Sequence, residues 1–211
     1  MISSETLLHP GGYRTPWHSH RAGQLWRIAT GLLVIESQRG RSVVPAKHIG
    51  WIPPGNQHAA YSESAIEGSA IYLDPACCAR LPDVPALFEP DDLTHALFSR
   101  LSVAESEYDP RKLTLLLDEL AVAPQVHFTL PVPTDPRLKD VVRHLLQFVD
   151  DNQTVESHAR QAGMSVRTFN RRFRAQTGMN FVNWRQLARV MQAMEWLAAG
   201  KPEGWIALSC G

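Results

Sequence analysis

The sequence lacks the features that mark membrane and secreted proteins. No run of apolar residues approaches the ~20 that a helix needs to span a bilayer, and the first residues show no basic-then-apolar secretory pattern. Only three cysteines occur, and neither the adjacent Cys77 and Cys78 nor the distant Cys210 has the spacing of a zinc site. These absences predict a cytoplasmic protein with no membrane partner, whose cysteines are structural or incidental.

The formal net charge of the chain is zero, although its charged residues are unevenly distributed along the sequence. The 21 lysines and arginines balance 21 aspartates and glutamates in a chain of 211 residues. Between Thr154 and Arg189 the single acid is Glu156, and there are seven arginines, at positions 160, 167, 171, 172, 174, 185 and 189. The rest of the chain contains the other 14 basic and 20 acidic residues. This asymmetry predicts a basic module, typical of binding to a phosphate backbone, on an acidic carrier.

The first part of the sequence has the pattern of a β protein. Short β-branched and aromatic segments alternate with turn residues, and they read QLWRIAT, LLVIES, RSVVP, HIGWIP and SAIYLD. Such closely spaced strands predict a sandwich or a barrel. His18 and His20 lie one residue apart on an extended stretch, so their side chains are expected on the same face.

Helical patterns follow these strands. A short helix is predicted around residues 93–101 and a leucine-rich one at 110–122, with Asp109 as N-cap. The proline-rich segment 124–134 is predicted to be a linker, which gives domains at 1–123 and 135–211.

The second domain has the pattern of a helix-turn-helix. Thr154 is predicted to cap one helix, Gly163 to make a tight turn, and Ser165 to cap the next helix. On that next helix the predicted apolar face is Val166, Phe169 and Phe173, and the outward side chains are Arg167, Thr168, Asn170, Arg171 and Arg174.

At these residues the sequence resembles the AraC/XylS-type transcription regulators. The stretches SVRTFNRRFRAQTG and FVNWRQLARVMQAMEWLAAG carry the resemblance, which covers roughly residues 136–211. It implies binding to double-stranded DNA, with Arg167, Asn170 and Arg171 reading bases and Thr168, Arg172 and Arg174 near the backbone. The family's second helix-turn-helix is expected to be incomplete here, since PEGWIALSCG is similar to its first helix only.

The N-terminal half resembles the cupins. The first cupin motif falls on five positions, which are Gly12, His18, His20, Gln24 and Gly31. At Gln24 this sequence has glutamine where the motif has glutamate. Pro53-Pro54-Gly55 and His58 fit the second motif, whereas Lys47 and Ser62 stand where glycine and asparagine are usual. Together the two resemblances imply an α+β chain, a cupin-like β-barrel (jelly roll) with following helices and then an all-α helix-turn-helix domain.

The barrel is a candidate sensor. His18, His20, His58 and Gln24 could hold a divalent transition metal, such as nickel, zinc, manganese or iron, or could serve only as hydrogen-bonding groups of a pocket. Trp26 and Ile28 share the alternation of Gln24 and are expected either to line an effector pocket or to pack in the core.

Two functions compete at this point. The first is a transcription regulator that responds to a small-molecule or metal effector and has no enzyme activity. The second is a small metal-dependent cupin enzyme, an oxygenase or isomerase, with an accessory helical domain. The basic helix-turn-helix favours the regulator. The apolar stripe of the helix at 110–122 has two possible roles. It forms a homodimer contact, or it packs against the barrel of its own chain.

Overall fold

A computed structural model describes residues 2–103, 109–126 and 128–211 and places ten strands in two sheets. The strands are β1 (Ile2–His9), β2 (Tyr13–Arg14), β3 (Gly23–Thr30), β4 (Leu32–Ser37), β5 (Gly40–Pro45), β6 (Ile49–Ile52), β7 (His58–Ser62), β8 (Ile66–Leu73), β9 (Ala86–Phe88) and β10 (Thr129–Pro131). One sheet has the order β1-β8-β3-β6-β9 and the other β10-β5-β4-β7-β2. This architecture, with the helices that follow it, confirms the α+β fold predicted from the sequence.

All the α-helices of the described chain except the last begin directly after a residue whose side chain caps the first turn. They are α1 (Asp92–Leu101), α2 (Pro110–Val122), α3 (Pro136–Gln147), α4 (Val155–Gln161), α5 (Val166–Thr177), α6 (Phe181–Ala198) and α7 (Glu203–Ser209), and a 3₁₀ helix spans Pro75–Arg80. The side chains of Asp109, Thr154 and Ser165 each accept a hydrogen bond from the backbone of the first turn, as predicted. None of the helices in the described residues is long and apolar enough to cross a membrane.

The chain divides into two compact units. The first comprises residues 1–37 and 43–128, and the second comprises residues 38–42 and 129–211. The segment predicted to be a linker is ordered by backbone pairing, because Gln125 bridges to Phe88 and β10 pairs with Gly40–Ser42.

Strand β3 has two buried faces. Trp26 and Ile28 lie in an inner apolar cluster between the sheets, together with Leu33, Ile35 and Val44 among others. Leu25 lies on the other face, in an outer cluster that packs the sheet against α1 and α2. Because side chains alternate along a strand, consecutive residues of β3 reach different compartments.

The leucine stripe of α2 belongs to the outer cluster. Leu113, Leu116, Leu117 and Leu120 are at most 4% exposed and contact their own sheet and α1. This is the packing alternative for the 110–122 helix, so the stripe itself is not available to a second copy.

Aromatic rings form the core of the helix-turn-helix. Phe169, Phe173, Phe181 and Trp184 are at most 1% exposed, and edge-to-face contacts connect Phe181 to both α5 phenylalanines. Val166, predicted to share this face, is 36% exposed because it occupies the first turn of α5. Gly163, in the turn before α5, has a φ of +63°, a conformation that glycine adopts without strain.

His158 of α4 is a polar exception in this core. Its side chain is fully buried, its ring lies 5.3 Å from that of Phe181, and neither ring nitrogen has a hydrogen-bond partner in the described part of the chain. Burial lowers the pKa of His158, and the nearby Asp151 carboxylate only partly opposes this. The imidazole is therefore neutral in the folded protein.

We expect the second unit to lose stability in mild acid. An unfolded histidine takes up a proton below pH ~6.5, whereas folded His158 resists protonation. The contribution of neutral His158 is thus present above that pH and lost as pH falls below it. Hydrogen exchange of the α5 amides, compared at neutral pH and at about pH 5, measures the loss. His158→Leu should weaken the pH dependence, and an unchanged dependence would contradict this assignment.

Candidate functional site

Three histidines converge at one end of the first unit. His18 and His58 form a two-hydrogen-bond bridge, with both N···O distances 2.9 Å, which holds their side chains together. The ring centroids are 4.4 Å apart for His18 and His58, 4.8 Å for His18 and His20, and 5.4 Å for His20 and His58. One nitrogen of each ring lies within 4.8 Å of the others. We call these three residues the histidine cluster.

Backbone carbonyls fix two of these rings. Nδ1 of His18 donates to the Pro16 carbonyl over 2.8 Å, and Nδ1 of His58 donates to the Asn56 carbonyl over 3.0 Å. Each Nε2 is then left with a free lone pair, the state that a metal ligand requires. Nε2 of His58 is buried and has no hydrogen-bond partner among the described residues. The cluster therefore presents an unsatisfied acceptor to whatever occupies it.

Two rings of the cluster, those of His20 and His58, favour the neutral state. Burial lowers the pKa of His58 and outweighs the opposing effect of the Asn56 hydrogen bond. Burial also lowers the pKa of His20, as does the neighbouring His18. Neutral imidazoles bind transition metals without first releasing a proton, so this electrostatic setting suits a metal ligand set.

The other predicted pocket residues take different places. Gln24 is 5% exposed, and its Oε1 is buried with no partner among the described residues. The Trp26 ring lies 5.7 Å from that of His58, so this tryptophan borders the cluster. Ile28, 1% exposed, packs in the inner apolar cluster. Gln24 thus offers an unsatisfied oxygen and Trp26 an apolar wall.

Sequence reasoning missed Glu5 and Tyr72. The Tyr72 hydroxyl donates to Glu5 Oε2 over 2.9 Å, and the Tyr72 ring lies 5.4 Å from that of His20. Burial, and then the Glu5 carboxylate, raises the pKa of Tyr72, which keeps the phenol protonated. Tyr72 also lines an adjacent cleft of about 520 Å³ with Ser3 and Arg21. Glu5 lies on β1, whose sequence gave no strand prediction, so only the sheet register places it here.

The predicted DNA-reading face lies on α5. Arg167, Asn170, Arg171 and Arg174 are exposed, and the last three line a groove of about 700 Å³. Val155 at the start of α4 and Asn180 to Val182 at the start of α6 form other parts of its wall. Thr168 lies in the first turn and accepts from the capping Ser165 hydroxyl over 3.0 Å. The groove thus brings three of the side chains predicted to contact DNA to one surface.

Two other side chains of α5 turn toward α3. Arg172 donates to Asp135 Oδ2 over 2.9 Å, and Gln176 Oε1 accepts from the backbone nitrogens of Thr134 and Asp135, each over 2.9 Å. Hydrogen bonds from Arg137 and Arg172 keep the pKa of Asp135 below its usual range. Arg172, expected near a DNA backbone, is therefore already paired inside the second unit.

Two protein families match overlapping parts of the chain. The AraC-like ligand binding domain matches residues 6–165, and a helix-turn-helix domain matches residues 158–211. The HTH-type transcriptional regulator NimR of Escherichia coli is 29% identical over 205 residues, which cover 93% of this chain and 74% of that protein.

Two solved structures to which the chain is similar are ToxT and a cupin-2 domain containing protein. ToxT from Vibrio cholerae is 10% identical with a TM-score of 0.44, over 100% of this chain and 89% of that one. A cupin-2 domain containing protein from Shewanella frigidimarina is 18% identical with a TM-score of 0.31, over 33% of this chain and 68% of that one.

Three observations agree with one another. An AraC-like ligand-binding domain spans most of the sequence, a helix-turn-helix domain matches its C-terminal part, and α5 is exposed and rich in arginine. The chain belongs to the AraC family of DNA-binding transcription regulators and is not an enzyme.

Proposed function

We propose that this regulator responds to a divalent transition metal, or to a small effector bound through one, at the histidine cluster. The observation that carries the proposal is the buried, unpartnered Nε2 of His58, which faces two further imidazoles. Three imidazole nitrogen ligands suit nickel, zinc, manganese or iron and leave coordination positions open for an effector. When bound, the metal would supply a Lewis-acidic centre for the donor atoms of an effector.

Charge near the cluster supports a cation rather than an apolar ligand. Gln24 replaces the carboxylate of the cupin motif and carries no charge. Glu5 offers a carboxylate from β1 instead, which pairs with β8, and the Tyr72 hydroxyl of β8 holds this carboxylate next to His20. A divalent ion at the histidines would therefore have an anionic group nearby without an acidic residue at position 24.

We propose further that α5 enters the major groove of double-stranded DNA in the cytoplasm. Arg167, Asn170 and Arg171 would read base edges, since arginine pairs with guanine and asparagine with adenine. Arg174 would contact phosphate, with Thr168 and Arg172 near the backbone. Occupation of the histidine cluster would alter DNA affinity through a free-energy coupling between the two sites.

The homodimer stays a prediction. The apolar stripe of α2 that suggested it is buried in the outer cluster. A dimer contact on this helix would use its opposite side, where Leu115 is 41% and Val122 is 80% exposed.

Loss of one imidazole should weaken metal binding. We expect His58→Ala to lower the affinity for Ni²⁺ or Zn²⁺ by about 100-fold, because it removes a ligand, which contributes at least as much as an outer-shell partner. Calorimetric titration of the metal-stripped full chain measures this. His9→Ala is the matched control, since His9 stacks on Tyr13 and lies outside the cluster. Equal affinities of the two variants would refute the metal site.

Adding charge at position 24 tests the same site in the opposite direction. Gln24→Glu places a carboxylate in the motif position and should tighten metal binding by about tenfold or more. The same titration detects it, with Gln125→Glu as a control of equal charge. Weaker binding in Gln24→Glu would mean that the side chain at position 24 points away from the ion.

The two central arginines of α5 should differ in their effect on DNA. Arg171→Ala should cost about 1–3 kcal/mol at one base position and flatten the preference there, whereas Arg174→Ala should weaken all sequences alike and reduce the salt slope by about 1. Binding to randomised and fixed duplexes over a range of salt separates the two effects.

Arg172→Ala is the internal comparison for this experiment. Its guanidinium is already paired with Asp135, so we expect a smaller change of salt slope than for Arg174→Ala. Identical behaviour of Arg171 and Arg174 variants would show that α5 is oriented differently on DNA.

A further inference from the structure

A second cleft lies in the first unit, outside the histidine cluster. It has a volume of about 610 Å³ and is formed by the end of β3, the turn between β5 and β6, and the start of α1. Its charged and imidazole side chains are Arg27, Lys47, His48, His95, Glu89 and Asp92. We call it the lateral cleft. None of the cupin-motif histidines that form the cluster contributes to its described wall.

Arg27 is a cation of this cleft that has no ion-pair partner among the residues that the structure describes. Alternation along β3 turns it away from Trp26 and Ile28, toward α1, where its guanidinium lies 5.7 Å from the centre of the Phe98 ring. Its Nε is buried and has no hydrogen-bond partner, and the ion pairs between described residues do not include Arg27. A partly buried guanidinium without an anion leaves strong donors unsatisfied.

Lys47 brings a second cation at an unusual conformational cost. Its φ is +69°, which makes it the single non-glycine residue of the described chain in the left-handed region. Glycine is usual at this motif position, and a side chain there costs about 1–2 kcal/mol. The exposed lysine has no ion pair among the described residues. Strain retained at the edge of a cleft points to a function of the side chain.

The remaining wall narrows the class of ligand. Ala29, Ala46 and Pro90 make an apolar surface beside the two cations, whereas the Ile28 side chain points into the inner apolar cluster. Glu89 and Asp92 are exposed at the rim, where they disfavour a doubly charged anion. A carboxylate can accept two parallel hydrogen bonds from one guanidinium, and a short hydrocarbon tail would cover the apolar wall.

We propose that the lateral cleft binds a small organic monocarboxylate, with its carboxylate between Arg27 and Lys47 and its apolar tail against Ala29, Ala46 and Pro90. This site is separate from the metal proposed at the histidine cluster and does not depend on it. Its occupation would connect β3 to α1 through the ligand.

The test is calorimetric titration of the full chain with hexanoate, with hexanamide as the uncharged analogue and inorganic phosphate as a small multivalent anion. We expect saturable hexanoate binding that exceeds hexanamide and phosphate binding by about tenfold or more. Absence of saturable hexanoate binding, equal binding of hexanamide, or stronger binding of phosphate would overturn the proposal.

Two variants assign the binding to this cleft. Arg27→Gln should weaken hexanoate binding by about tenfold or more, and Lys47→Gly by a smaller factor of about threefold. Lys47→Gly also relieves the left-handed strain, so its thermal stability should be equal or higher, which separates lost binding from lost folding. Lys112→Gln, an exposed lysine of α2, is the charge control and should change nothing.

A third variant distinguishes this proposal from the metal site. His58→Ala should leave hexanoate binding unchanged. If hexanoate binding falls in His58→Ala and persists in Arg27→Gln, the carboxylate site lies at the histidine cluster and the lateral cleft is refuted. If the full chain binds no metal while Arg27→Gln weakens hexanoate binding, the metal site is refuted and the lateral cleft is supported.

Discussion

The two-residue period of β3 is the constraint on which both proposed ligand sites depend. Positions 24 and 26 face the space between the sheets, where Gln24 is buried and Trp26 borders His58. Position 27 faces α1, where Arg27 lies at the lateral cleft. A shift of one residue in the pairing of β3 with β8 would exchange these environments, burying the guanidinium among the inner apolar residues. Register, rather than any single contact, thus keeps the two sites distinct.

The histidine cluster combines low proton affinity with a nearby anion. Burial lowers the pKa of His20 and His58, and backbone carbonyls hold the rings of His18 and His58 in one tautomer. The carboxylate that a cupin motif would place at position 24 stands instead on β1. A site assembled in this way keeps its ligands ready for a cation while its motif residue is neutral.

The sequence predicted what depends on short-range patterns. Capping by Asp109, Thr154 and Ser165, the turn at Gly163 and the α+β class follow from local chemistry that tertiary packing does not override. Glu5 and Arg27 could not be assigned in this way, because their roles depend on which strand lies beside them and which face a helix covers. The exposure of Val166 likewise depends on where α5 begins. Metal ligation and base reading remain predictions.

The pairing of α5 with the start of α3 has a consequence for the rate and entropy of DNA recognition. Arg172 and Gln176 are held by Asp135 and Thr134 on the side of α5 opposite its exposed recognition residues. Immobilising a long side chain on binding costs about 0.5–1.5 kcal/mol, and a helix that had to settle on its support would add to this cost. Here the support is in place before any duplex arrives. An α5 that enters DNA as proposed above is therefore preorganised, and only its outward side chains would have to lose freedom at the DNA surface.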